Sequence, residues 1–502
     1  MQVMFRFVTK RFLLTRSRTR SHLVHPKTWV RRGLLGASVS GVGFYLASMS
    51  TIYADSPESA EHKSVLQAIL QEHLWGPAEF YFRSCSHSSP SPSEGIARYD
   101  GAAFTSNSEC HSASATFEPY FLAEIIEGHN GPGVAVFILN SLPLALANGI
   151  HHLFVRPQVL DPETVEVHSE LDAVPERPSD SAINNALKRT FMDLDYSIVQ
   201  EPLTYIMSST DAKDSKCRGT RALAFSYPGT CALTALYDPF TRLLRVASVG
   251  DSRAVLGRRI KGPHANGKPL YEVHVLSKEH NAQNPAEVTR VQALYPGKQI
   301  VQDNRVLGMN VTRAFGNGPQ KWPRKIQEYL YDQLIGDPPS VDIDTPWMTA
   351  EPEITMMKVE PGDFVILGSS GFWDALTNEE AVGLTGLWLT KNSLKEVLPP
   401  PAQPPSDGTF KQGAYPPREP GAPAIERDEL PVTLSEDTTM AYKRWRVPKR
   451  FLNVDPNAAV HLARNAMGGA DRDFTEALFS LMPPRVTQHS RRDVGVNVTF
   501  FS

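Results

Sequence analysis

Residues Leu243–Arg258 read LLRVASVGDSRAVLGR, two apolar runs separated by Gly250-Asp251-Ser252. Gly, Asp and Ser are the residues that close tight turns, and the flanking runs are rich in the branched residues that fit a pleated surface. The stretch therefore reads as a strand, a turn and a second strand paired antiparallel to it. Similar β-type runs lie outward of it at Phe121–Ile126, Thr230–Tyr237, Ile354–Val359, Asp363–Gly368 and Val494–Phe501. Apolar residues at helical spacing occupy Gly133–Asn148, Ser181–Gln200, Asn284–Leu294, Lys325–Leu334, Asn378–Leu389, Asn457–Met467 and Arg472–Leu481. Strands outnumber what a βαβ repeat supplies, and some follow one another through short turns such as Asp238-Pro239. The pattern predicts the α+β class, antiparallel sheet covered by helices, over a doubly wound parallel sheet.

The chain is 502 residues long with a formal net charge of −3, so no overall field draws it to nucleic acid, which is not expected as a partner. Cys85, Cys110, Cys217 and Cys231 are far apart and form no Cys-x-x-Cys or zinc spacing, as in a reduced protein without a disulfide framework. Met1–Ala54 contains no acidic residue, while Arg6, Lys10, Arg11, Arg16, Arg18, Arg20, Lys27, Arg31 and Arg32 are spread among Ser, Thr and apolar residues. That is the composition of a mitochondrial presequence, assigned to residues 1–32. Residues 33–54 include an uncharged stretch, Gly33–Tyr53, about long enough to cross a bilayer. It reads either as the end of the presequence or as an inner-membrane anchor, placing the rest of the chain in the matrix or facing the intermembrane space. Residues 55–94 read as a linker and N-terminal extension. At about 391–439 a Pro-rich segment without apolar periodicity predicts a surface excursion mostly lacking regular structure.

Five motifs in order give the remainder, 95–502, a family resemblance. Gly229-Thr230-Cys231-Ala232 precedes the Gly250-Asp251-Ser252-Arg253 hairpin, and Glu127-Gly128-His129-Asn130-Gly131 follows an earlier strand. Leu307–Gly316 reads LGMNVTRAFG, Leu367–Thr377 reads LGSSGFWDALT, and Arg491-Arg492-Asp493 opens the terminal strand. This resembles the metal-dependent type 2C (PPM-type) serine/threonine protein phosphatases. Ala97-Arg98-Tyr99-Asp100, Ser106-Asn107, Thr349-Ala350-Glu351-Pro352 and Lys449-Arg450-Phe451 resemble fungal mitochondrial members similar to pyruvate dehydrogenase phosphatase. The resemblance implies an α-β-β-α sandwich of two antiparallel sheets flanked by helices. It also implies a site between the sheets at one end, where two Mg²⁺ or Mn²⁺ ions activate a water.

Paired dications need several carboxylates to offset their repulsion, so the ligand positions test the implied activity. Where the family has ligand carboxylates, this chain has Ser108, Glu127, Ser370 and Arg492. Only Glu127 keeps the charge, one methylene longer than the family's Asp. Replacing a carboxylate by Arg reverses a charge worth about 4 kcal/mol per unit pair at 4 Å and an effective dielectric of 20. Metal binding is therefore expected to be weak or absent. His129 remains as the family's candidate general acid, Gly128 as its backbone ligand, and Asp251 and Asp374 at positions of an additional, weaker metal. Asn317 stands where the subgroup has Asp. Each has a plain structural reading: a turn former for Asp251, a helix N-cap for Asp374, a satisfied polar residue for His129. Arg492 could instead grip a phosphate in a bidentate fork. The sequence thus predicts a pseudophosphatase acting by binding on a mitochondrial phosphoprotein or another phosphatase. The competing reading is an active phosphatase with altered metal use.

Overall fold

A computed structural model describes residues 83–90, 92–105, 109–154, 177–208, 212–261, 269–334, 338, 346–392, 394, 422–480 and 493–502. The presequence and anchor assignments thus fall outside the described residues, as do Ser108, Arg491 and Arg492, while the linker reading of 55–94 is corrected at its end, where Arg83–Pro90 is a strand paired antiparallel with Ile96–Thr105. The main strands are β1 (Arg83–Pro90), β2 (Ile96–Thr105), β3 (Cys110–Phe117), β4 (Tyr120–His129), β5 (Gly229–Asp238), β6 (Leu243–Val249), β7 (Arg253–Arg259), β8 (Tyr271–Val275), β9 (Glu353–Lys358), β10 (Phe364–Gly368) and β11 (Val494–Phe501). The helices are α1 (Gly133–Phe154), α2 (Asp180–Val199), α3 (Glu201–Ser208), α4 (Ala212–Leu223), α5 (Pro285–Gln292), α6 (Gly318–Lys321), α7 (Arg324–Gln333), α8 (Ser370–Trp373), α9 (Asn378–Lys391), α10 (Ala441–Trp445), α11 (Ala458–Ala466) and α12 (Arg472–Ser480).

Two antiparallel sheets stack. One has the order β1-β2-β11-β10-β7-β8, the other β9-β6-β5-β4-β3, with Phe315–Gly316 adding to β5. Strand alternation sends Tyr99, Phe121, Ile125, Leu233, Val246, Leu256, Leu367 and Phe501 into the apolar layer between them. The opposite faces of the same strands meet helices. Val255, Ile366, Val496 and Val498 pack beneath α9, α11 and α12, while α1 lies on β4 with Val134, Ile138 and Leu142 buried. Both faces of the central strands are therefore covered, and β5 is buried along its whole length. This is the α-β-β-α sandwich that the sequence implied.

Local chemistry fixes the helix starts. Ser179 accepts the Ala182 N–H at 3.2 Å ahead of α2. Thr377 and Glu380 form a reciprocal capping box on α9. Among the described residues α1 is long and apolar enough to cross a membrane, yet its apolar stripe is spent on the sheet and on α2.

The expected Pro-rich excursion needs one correction. Residues 395–421 are outside the described set, but 422–439 are tied down: Leu430 and Val432 are buried, Ile425–Glu426 pairs with Arg450–Phe451, and the Tyr271 N–H reaches the Pro431 carbonyl at 3.0 Å. Two apolar side chains suffice to dock this end, and neither lies in a periodic pattern. Asp374 also departs from expectation. It closes α8 as its C-cap, and Thr377 caps the next helix.

Candidate functional site

The site lies where three chain reversals meet at one end of the sandwich. On β4, Phe121, Ala123 and Ile125 face the inter-sheet core, so alternation aims Glu127 the same way at the strand's end. Its direct neighbours across the sheet are Cys110 on β3 and Cys231 on β5. The Gly250-Asp251-Ser252 turn brings Ser252 to it, and the β10–α8 junction brings Ser370. Ser370 Oγ donates to Glu127 Oε1 at 2.6 Å, its backbone N–H donates to Oε2 at 2.9 Å, and Ser252 Oγ donates to Oε2 at 3.2 Å. Glu127, the carboxylate expected from the resemblance to remain at a ligand position, thus accepts from neutral donors. The shortest of these bonds comes from Ser370.

The surroundings hold this arrangement in place. Ser369 Oγ donates to the Asp493 carbonyl at 3.0 Å and accepts the Gly495 N–H at 2.9 Å, locking the start of β11 against α8. Gly250 has φ +109°, and a Cβ there would fall 2.2 Å from Cys231 Sγ, so only glycine fits the turn. The Gly250 N–H donates to Nδ1 of the fully buried His280 at 3.2 Å. Cys231 Sγ donates to Asp251 Oδ1 at 3.5 Å. Burial, then the Asp251 and Glu127 charges, push that thiol well above its usual range, so it is no thiolate ligand.

On the other side, Gly128 and Gly131 donate to the Glu109 carbonyl at 2.7 Å and to Glu109 Oε1 at 2.8 Å. Burial raises the Glu109 carboxyl, the Gly131 N–H opposes this, and the nearby Asp493 charge adds to it. His129 Nε2 lies 2.8 Å from Asn317 Oδ1. Since an amide oxygen only accepts, Nε2 carries the proton. Burial holds the imidazole below its ordinary pKa, with the Lys321 charge also disfavouring imidazolium. A Cβ at Gly229 would be 1.8 Å from Asn317 Oδ1 and 2.3 Å from His129 Nε2, so the contact requires a glycine beneath it.

The structure therefore gathers Glu127, Gly128, His129, Asp251 and Ser370, with the exposed Asp374 about 6 Å along the helix axis from Ser370 at 1.5 Å per residue. Ser108 and Arg492 are not among the described residues, and the phosphate grip assigned to Arg492 has no geometry here. Sequence reasoning did not single out Glu109, Asp493 and Ser252. Glu109 and Asp493 each directly follow a position read as a lost ligand, and that adjacency was the available signal.

Among the described residues the donor set around Glu127 does not suit a pair of hard dications. Among the described residues no three His, Cys, Asp or Glu side chains are grouped to hold a metal ion. Glu127 has both oxygens engaged by hydrogen-bond donors, and the adjacent sulfur is a protonated thiol.

The sequence model described as Protein phosphatase 2C matches residues 165–399. A protein phosphatase 2C homolog of Schizosaccharomyces pombe is 27% identical over 420 residues, 81% of each chain. The chain is similar to the protein phosphatase 2C family over these stretches. It is also 28% identical over 437 residues to the mitochondrial [pyruvate dehydrogenase [acetyl-transferring]]-phosphatase 1 of Saccharomyces cerevisiae, covering 81% of this chain and 69% of that one. The human mitochondrial phosphatase 2 of the same description is 30% identical over 238 residues, 44% of this chain and 40% of that one. A solved serine-threonine phosphatase 2C from Toxoplasma gondii overlays with a TM-score of 0.40 at 13% identity, covering 84% of this chain and 100% of that one. The stretch matched by the family's sequence model contains Asp251, Ser370 and Asp374 but neither Glu127 nor Asp493.

Proposed function

We propose that this protein is a mitochondrial pseudophosphatase of the protein phosphatase 2C family that acts by binding a phosphoprotein or another phosphatase. The observation that carries the reading is the closed Glu127–Ser370 pair. Three donors surround the carboxylate where the family's reaction needs it open to metal, and the hydroxyl at Ser370 is too weak a ligand to draw a dication in. The setting of His129 supports the same reading, because burial and the Lys321 charge outweigh the Asn317 hydrogen bond and disfavour the imidazolium that a general acid needs. The mitochondrial setting rests on the basic, acid-free N-terminus and on the named relatives.

A second reading is an active phosphatase with altered metal use, pyruvate dehydrogenase phosphatase-like in substrate. The proximity of Glu109 and Asp493, where the Asp493 charge adds to the burial that raises the Glu109 carboxyl, favours it. One assay separates the two. Purified chain beginning near residue 56 is incubated with a phosphoserine peptide in Mn²⁺ or Mg²⁺, and phosphate release and bound metal are measured on the same sample. No release and no stoichiometric metal is expected. Turnover that Glu127→Ala abolishes would overturn the pseudophosphatase reading.

A further inference from the structure

Helix α1 covers a buried acid that the site does not use. Glu124 stands three residues before Glu127 on β4 and faces the helix layer, since Phe121, Ala123 and Ile125 face the other sheet. It is 1% exposed, and neither carboxyl oxygen has a hydrogen-bond partner. Its neighbours across the sheet, Ala113 and Thr234, bring no charge. His111 on β3 and Arg245 on β6 share this face, Arg245 being bonded to Asp180. The buried side chains of α1 are all apolar, and the one charged group buried on α2, Asp195, is bonded to Lys321. Burial alone acts on Glu124 and raises its carboxyl to about 8, so the folded chain holds it as the neutral acid.

The helix above it is weaker than its length suggests. Pro143 lies inside α1 and has no N–H to offer the Leu139 carbonyl, which interrupts the helix near mid-length. The same helix is tied to the site at its first turn. A Cβ at Gly128 would fall 3.0 Å from Ala135 Cβ, and the Gly128 and Gly131 N–H groups both hold Glu109. Lifting α1 from β4 therefore loosens the loop of residues 128–131, and opening of one packed element without the rest is the ordinary form of local unfolding.

We propose that α1 is a proton-controlled cover: loss of the Glu124 proton lifts it from β4 and releases the 128–131 loop of the site. A carboxylate needs water or donors, and the helix-covered layer gives Glu124 neither. In the opened form the carboxyl is solvated and titrates near its usual 4.5, so that form binds fewer protons between about pH 4.5 and 8. Its population rises about tenfold per pH unit across that window and levels off above it. The device works in the same way whether the site turns over or only binds.

The test is hydrogen exchange read by mass spectrometry on the purified chain, between about pH 5.5 and 7.5, with each rate corrected for the intrinsic exchange of an unstructured amide at that pH. Peptides covering the 128–131 loop, α1 and, as a reference, α9 are compared in wild type, Glu124→Gln and Glu124→Met. The first variant keeps the shape of the neutral acid, and the second removes the buried polar group altogether. In wild type the loop and α1 should exchange faster than α9, with a corrected rate that rises about a hundredfold over the two pH units. In both variants that rise should disappear. A rise of equal size in the variants overturns the proposal, because another group then drives it. So does a single rate shared by α1 and α9, which would make the event global unfolding. A loop that keeps its protection while α1 loses it overturns the coupling to the site.

Discussion

Glu124 and Glu127 are three residues apart on β4, and alternation turns them to opposite faces. Glu127 ends in three hydrogen bonds from Ser370 and Ser252. Glu124 is 1% exposed on the helix-covered face, level with Thr234 and Ala113, and neither of its oxygens has a partner. Burial alone pushes its pKa up to about 8, because an unpaired carboxylate in an apolar layer gives up its charge rather than its environment. One strand thus carries a carboxylate whose charge is met by donors and an acid held neutral by their absence. Position on the sheet, not residue type, decides which.

The largest effect should come from Glu124. Its folded pKa is raised, so between about pH 4.5 and 8 the folded chain keeps a proton that the unfolded chain has lost. Its contribution is most favourable below pH 4.5 and is lost as pH rises toward 8, at about 1.4 kcal/mol per unit. Glu124→Gln removes this slope. Urea unfolding at pH 5.5 and 7.5 should show the variant's advantage widening by about 3 kcal/mol, and a constant difference would mean that Glu124 is solvated or paired.

Next in size is Glu127→Ala, which strands the Ser370 amide and hydroxyl. A loss of about 2 kcal/mol is expected for donors left without an acceptor, read as a lower melting point near neutral pH. A neutral outcome would put Glu127 on a level with an ordinary exposed carboxylate and break the contrast. Ser370→Ala keeps the backbone donor and should cost about 1 kcal/mol. Ser370→Asp sharpens the comparison further: two carboxylates would face each other at hydrogen-bond distance, and Mn²⁺ should raise the melting point of this variant while leaving wild type unchanged. The smallest change is expected from Ser252→Ala, about 0.5 kcal/mol for a 3.2 Å bond.

Much of this was legible in order along the chain. Leu243–Val249 and Val494–Phe501 are the strands that the apolar runs indicate, because nearly every position of those segments is buried and apolar residues predominate. Strands β2 and β3 were not. Arg98 and Asp100 are buried in β2 as an ion pair at 2.8 Å, with Asp100 also accepting the Ala458 N–H, so charged residues occupy positions that a hydrophobic pattern reserves for apolar ones. In β3 the residues are mostly small and polar, Cys110-His111-Ser112-Ala113-Ser114, and no alternation survives. Helix α10 escaped notice because its apolar residues, Tyr442 and Trp445, are too few to make a period.

The sequence by itself indicated the resemblance to the type 2C phosphatases, the sandwich that it implies and the residues standing where that family has ligands, since these depend on local pattern and on motifs in order. Only the tertiary structure decided that Ser370 completes the hydrogen bonding of Glu127, 243 residues away, and that Glu109 and Asp493 approach each other. The physical reason is that a carboxylate's state is set by the donors and charges within a few ångströms, and those come from loops that the sheet brings together.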